Sequence, residues 1–91
     1  MIRELAEEAE LLDRARAAVA RGDASIALGI LDRHRSRFPL GRLRPESIYL
    51  RMQALRLRGD ADGAAQAAEA LLEANPNGPQ SAAARALLHA E

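Results

Sequence analysis

The 91-residue chain contains no cysteine, no lysine and no tryptophan, and its aromatic residues are limited to Phe38 and Tyr49. The absence of cysteine excludes disulfides and thiolate metal sites. β-Branched residues are also few, whereas alanine and leucine are abundant. Such a composition favours helices and disfavours a sheet. Because the length allows only one small domain with one core, the sequence predicts a single all-α domain.

Long apolar runs are lacking too, which excludes a transmembrane helix. The start of the chain is rich in glutamate, unlike a signal peptide. We therefore expect no direct membrane insertion and, by default, a cytoplasmic location. The periplasm is the alternative if the chain is a segment of a bacterial envelope protein.

The formal net charge is zero, so the chain lacks the basic surplus of a nucleic-acid-binding protein, and no nucleic-acid partner is expected. The charge is unevenly distributed, however. Residues 1–32 carry four arginines and seven acids, residues 33–58 eight arginines and one acid, and residues 59–91 one arginine and five acids. All basic side chains are arginines, which we attribute to base-composition bias; selection of the guanidinium group for carboxylate or phosphate is the alternative.

An Arg-Gly-Asp tripeptide at residues 21–23 returns at residues 58–60. An alanine and a closing proline return with it, so the offset is the same 37 residues at three pairs of positions: Gly22 and Gly59, Ala27 and Ala64, Pro39 and Pro76. A fixed period of 20 to 50 residues is typical of helical arrays in which each unit packs on its neighbour.

The apolar spacing predicts four helices of about 12–20 residues in two antiparallel hairpins, with a shorter fifth helix. Each glycine of the repeated tripeptide is expected to end a helix, and each aspartate to cap the next one. Residues 40–43 form a lengthened loop between the hairpins, and Pro45 is expected to open the third helix. That helix carries two apolar stripes and should be covered on both sides: Ile48, Met52 and Leu55; Leu50, Ala54 and Leu57.

This pattern resembles the tetratricopeptide repeat, whose motif is W-x2-L-G-x2-Y, then A-x3-F, then P. The matching segments run from Leu11 to Pro39 and from Ile48 to Pro76, and the resemblance implies repeat one at about residues 5–39, repeat two at about 45–76 and a terminal capping helix at about 79–90. The motif's leucine is replaced by Arg14 and Arg51, its aromatics are missing, and the period is longer than the usual ~34 residues. The chain is most similar to divergent bacterial members of the family.

Residues suited to catalysis are sparse. His34 and His89 lie on different predicted helices, with no metal-ligand partner at helical spacing. His34 is interpreted as a histidine packed against a neighbouring helix, and the glutamates at positions 4, 7, 8, 69 and 73 as members of exposed faces. Neither a phosphate-binding loop nor a nucleophile elbow occurs. We therefore expect no enzymatic activity, no cofactor and no metal; a small regulatory enzyme is the weaker alternative.

The resemblance implies a protein-interaction or scaffolding module that binds a protein or peptide. By analogy with the family's groove, the candidate binding residues are Arg16, Tyr49, Gln53 and Arg56. Arg51 and Arg58 are added because they share a face of the third helix, where they would bind an acidic partner. The alternative is that these two arginines pair with acids of neighbouring helices.

Apolar residues outside the main stripes motivate a second functional hypothesis, self-association. They are Leu5, Ala9 and Leu12 on the first helix and Leu50, Ala54 and Leu57 on the third. Leaving these surfaces exposed would be unfavourable. We expect a second copy of the chain, forming a homodimer, or the remainder of a longer protein to cover them. In the competing account, the second stripe of the third helix packs against the terminal helix of a monomer.

Overall fold

A computed structural model describes residues 2–89 and contains five α-helices in that range, with no strand. They are α1 (Ile2–Ala20), α2 (Ala24–Arg37), α3 (Arg44–Leu57), α4 (Ala61–Ala74) and α5 (Ser81–His89). The predicted all-α fold is confirmed. None of these helices is both long and apolar enough to cross a membrane.

Gly22 and Asp23 form the turn between α1 and α2, which is the first of two glycine and aspartate joints between helices. Gly22 has φ of +77°, a left-handed conformation that costs a glycine little. Its N–H donates to the Val19 carbonyl, and the Asp23 N–H donates to Ala18, which closes the end of α1 as a Schellman motif. The Asp23 carboxylate then accepts the Ile26 N–H at 3.2 Å and caps α2.

The joint between α3 and α4 repeats these features. Gly59 has φ of +82°, its N–H donates to Arg56, and the Asp60 N–H donates to Leu55. The Asp60 carboxylate accepts the Gly63 N–H at 2.8 Å. The two copies of the tripeptide therefore form equivalent helix ends and helix starts.

The other two helix starts differ slightly from the predictions. Arg44 is the first residue of α3, one position before Pro45, and α5 begins at Ser81 rather than at Pro79. The Ser81 hydroxyl accepts the Gly78 N–H at 2.9 Å, so the preceding turn extends to the start of α5. Position 90 of the predicted terminal helix lies outside the described residues.

The helix α3 lies at the centre of the packing and contacts α1, α2 and α4. On one side, buried Leu50 and Ala54 pack with residues of α1 and α2. On the other side, buried Met52 packs with residues of α4 and α5. The prediction that this helix is covered on both sides is confirmed for these three residues.

Several apolar residues that we expected a second copy to cover are instead buried within one chain. Leu12, Leu50 and Ala54 are at most 1% exposed, because α1, α2 and α3 cover one another. The competing account is also wrong, since Leu50 and Ala54 pack against the first hairpin and not against α5. Of the stripe residues assigned to an interface, Leu5 and Leu57 are the large ones that stay exposed, at 42% and 51%.

The inward face of α2 also differs from its predicted composition. Ala27, Leu31 and His34 are buried as predicted, but Ile26 is 49% exposed and Leu28 is buried in its place. Ile26 and Leu28 lie on opposite sides of Ala27 around the helix, each displaced by about 100°. The contact of Leu28 with the cluster that contains Ala18 and Ala54 determines which of the two faces the core.

Candidate partner-binding surfaces

A buried pair of hydrogen-bonded polar side chains joins α1 to α2 at one end of the molecule. Glu8 and His34 are both buried, and Nε2 of His34 lies 3.0 Å from Oε1 of Glu8. The same carboxylate oxygen accepts the backbone N–H of Leu43 at 2.9 Å. Glu8 therefore connects three segments: α1, α2 and the loop that precedes α3.

The placement of Glu8 on an exposed face is wrong. Glu8 lies four residues before Leu12 and seven before Ala15, so it continues the buried face of α1. His34 occupies the equivalent place on α2, three residues after Leu31, and it is packed as predicted. The buried pair could therefore have been found in the sequence, because Glu8 and His34 each continue the apolar stripe of a helix and the two stripes face each other.

Gly41 allows the loop to approach this pair closely. A Cβ atom at Gly41 would overlap the Glu8 carboxylate. Gly41 is not in a left-handed conformation, so the requirement here is space. The loop of residues 38–43 is fixed in place by the Leu43 hydrogen bond on one side and by this close approach on the other.

An open groove of about 610 Å³ lies between the start of α1 and this loop. Its apolar lining is formed by Leu5, Phe38, Pro39 and Leu40, and its charged lining by Glu4, Glu8 and Arg42; Gly41 also lines it. The Phe38 ring lies 5.7 Å from the His34 ring, and the Arg37 guanidinium stacks over it at 5.5 Å. Leu40 forms part of the groove lining, but it lies at the edge of the groove and is 93% exposed.

The residues implied by the repeat resemblance lie along α1 and α3. Arg16 donates to Asp13 at 2.7 Å and to Glu46 at 2.9 Å. The hydrogen bond to Glu46 is the main reason that the pKa of Arg16 is raised above its usual value, although partial burial opposes the shift. Glu46 also accepts the side-chain amide of Gln80 at 2.8 Å.

Tyr49, Gln53 and Arg56 follow Glu46 along α3 at helical spacing. The Gln53 amide donates to the Tyr49 hydroxyl at 3.1 Å, and both residues are half-buried, whereas Arg56 is exposed. Together with Arg16 and Glu46 they form a polar row. Two of its members, Arg16 and Glu46, already bind each other within the chain.

The remaining candidates, Arg51 and Arg58, are in different environments. Arg51 donates to Asp32 of α2 at 2.7 Å and has a side chain only 20% exposed, whereas Arg58 is exposed at the end of α3. Asp32 also accepts a hydrogen bond from Arg35. Arg51 therefore pairs with an acid of a neighbouring helix, which is the alternative that the sequence left open.

Among residues 2–89, no three His, Cys, Asp or Glu side chains are grouped closely enough to hold a metal ion. The Glu8 and His34 pair is the most chemically distinctive feature, but it is buried and Glu8 is occupied by two donors.

No family model, no curated protein and no solved structure matches the chain.

Proposed function

We propose that the chain is a non-catalytic protein-interaction module of tetratricopeptide-like design, and that it binds its partner through the groove between α1 and the loop of residues 38–43. The observation that carries this proposal is the apolar lining of an open groove, with Leu5 and Leu40 exposed beside it. Large apolar side chains that cluster at a concave surface are typical of interaction sites.

The groove is also preorganised. Its loop is fixed by the hydrogen bond from Leu43 to Glu8, and the Phe38 ring lies near both the His34 ring and the Arg37 guanidinium. A surface that is already ordered loses less conformational entropy when a partner binds. The rigid placement of an otherwise irregular loop thus favours a binding role.

The repeat-like architecture is supported by the equivalent glycine and aspartate joints and by the order in which the helices pack. Contacts run from α1 to α2, from α2 to α3, from α3 to α4 and from α4 to α5, with α1 also touching α3. The polar row on α1 and α3 is the second candidate surface, as the resemblance implies. Binding of an acidic partner is less favoured at Arg16 of this row, and at Arg51 outside it, since both already pair with acids of this chain.

Peptide display on the immobilised chain tests the proposed groove. We expect binders selected on the unmodified chain to lose at least about tenfold in affinity on Leu40→Glu, because a charge would be placed against apolar contacts. Leu57→Glu is the matched control, since Leu57 is an exposed leucine far along α3. Failure to select binders, or binders that respond to Tyr49→Ala and Arg56→Ala but not to Leu40→Glu, would reject the groove.

A further inference from the structure

The groove carries both a concave apolar surface and a projecting apolar side chain. Leu5 and Phe38 line it, whereas Leu40 is almost wholly exposed at its lip. A surface that presents a depression and a projection side by side is suited to contact with an identical surface, because each copy can fill the depression of the other.

We propose that the occupant of the groove is a second copy of this chain, docked about a two-fold axis so that Leu40 of each copy enters the groove of the other. This inference rests on the proposed interaction function and names its partner. Of the residues that the sequence assigned to a dimer, this surface includes Leu5, whereas Leu12, Leu50 and Ala54 are buried within the chain.

The charges at the groove support an identical partner. Glu4 and Arg42 line it with opposite signs, and neither forms an ion pair within residues 2–89. In a two-fold interface, a residue i that contacts residue j of the other copy is accompanied by the reciprocal contact. Glu4 of each copy can then pair with Arg42 of the other, so the copy supplies both complementary charges.

The third ionisable group in the lining does not oppose this arrangement. The Glu8 carboxylate is buried and hydrogen-bonded to His34 and to the Leu43 N–H, so its hydrogen bonds are made within its own chain. Eight residues line the groove, fewer than the roughly 20–30 residues that each partner contributes to a stable complex of standard size. We therefore expect a weak, reversible dimer.

Sedimentation equilibrium from about 5 µM to about 1 mM provides the first test, because that range brackets weak association. The unmodified chain should change reversibly from monomer to dimer with concentration. Leu40→Ser should weaken association at least about tenfold, since an apolar contact is lost. Leu57→Ser is the matched control and should leave it unchanged.

Charge reversal provides the sharper test. Glu4→Arg and Arg42→Glu should each weaken self-association at least about tenfold, because they place like charges together. Mixing the two variants should restore association as a heterodimer, since both contacts then join an arginine to a glutamate. The double variant, Glu4→Arg with Arg42→Glu, should restore the homodimer, and Glu69→Arg on the exposed side of α4 is the control.

The outcomes separate this inference from the proposed function. A monomer over the whole range, with display-selected peptides that still require Leu40, would overturn the second copy but leave the interaction module. A dimer whose association is unchanged by the substitutions at Leu40, Glu4 and Arg42 would overturn the inference as well. If neither self-association nor Leu40-dependent peptides are found, both proposals fail.

Discussion

At the scale of single residues, Glu8 is held by hydrogen bonds from two other segments of the chain. A buried carboxylate is destabilising unless it is paired and hydrogen-bonded. Here one oxygen meets His34 and the Leu43 N–H. Nδ1 of His34 is buried without a hydrogen-bond partner in the part of the chain described by the structure, so the pair is incompletely satisfied. Glu8 also fixes the path of the loop, because it accepts the Leu43 N–H.

Gly41→Ala is expected to lower the free energy of unfolding by about 1–3 kcal/mol, because the added methyl group overlaps the Glu8 carboxylate. Urea unfolding followed by circular dichroism measures the change. Gly29→Ala is the matched control: it lies within α2 with open space around it, and it should raise the same free energy by about 0.5–1 kcal/mol.

A double-mutant cycle identifies the cause of the Gly41 effect. In a Glu8→Ala background the overlapping carboxylate is gone, so Gly41→Ala should cost less than it does in the unmodified chain. Equal costs in the two backgrounds would show that the loop backbone, and not Glu8, requires glycine at this position.

At the scale of secondary-structure elements, the two glycine and aspartate joints define where the hairpins turn. We expect Gly22→Ala and Gly59→Ala each to lower the free energy of unfolding by about 1–2 kcal/mol, since alanine is strained at positive φ. Gly22→Asn and Gly59→Asn should cost less, because asparagine tolerates the left-handed region better. Equal losses for alanine and asparagine in thermal unfolding would argue against backbone strain as the cause.

These joints could be predicted from the sequence because their requirements are local. A glycine at a helix end and an aspartate three residues before a free N–H determine the geometry without distant contacts. Burial of Glu8 could have been inferred from the helical phase that it shares with Leu12, and that of His34 was predicted from its phase on α2. These cues also indicate that the two polar residues lie on facing helices.

The groove could not be predicted in the same way. It depends on the path of residues 38–43, which is set by a hydrogen bond between Glu8 and Leu43 across 35 positions of sequence. Neither periodicity nor turn chemistry specifies such a contact. The choice between Ile26 and Leu28 at the core likewise depends on the rotation of α2 against Ala18 and Ala54.

At the scale of the whole molecule, α3 makes the two hairpins one folding unit. Leu50→Ala should lower the free energy of unfolding by about 2–4 kcal/mol, because a fully buried side chain is truncated between α3 and the first hairpin. Leu57→Ala, at an exposed position of the same helix, should change it by less than about 0.5 kcal/mol. Both variants should unfold in a single transition by circular dichroism and by calorimetry; separate transitions for the two hairpins would contradict a shared core.

The residues buried most completely are mainly alanines, including Ala15, Ala18, Ala27, Ala54, Ala68 and Ala84. Alanine leaves almost no side chain to delete, whereas nearly every replacement adds volume between closely packed backbones. At these alanine positions, substitutions that enlarge the side chain are thus more destabilising than truncation. Over evolutionary divergence, we expect leucines to exchange with other apolar residues while these positions stay small. Distant relatives should accordingly share a spacing of small residues more clearly than any motif of large ones.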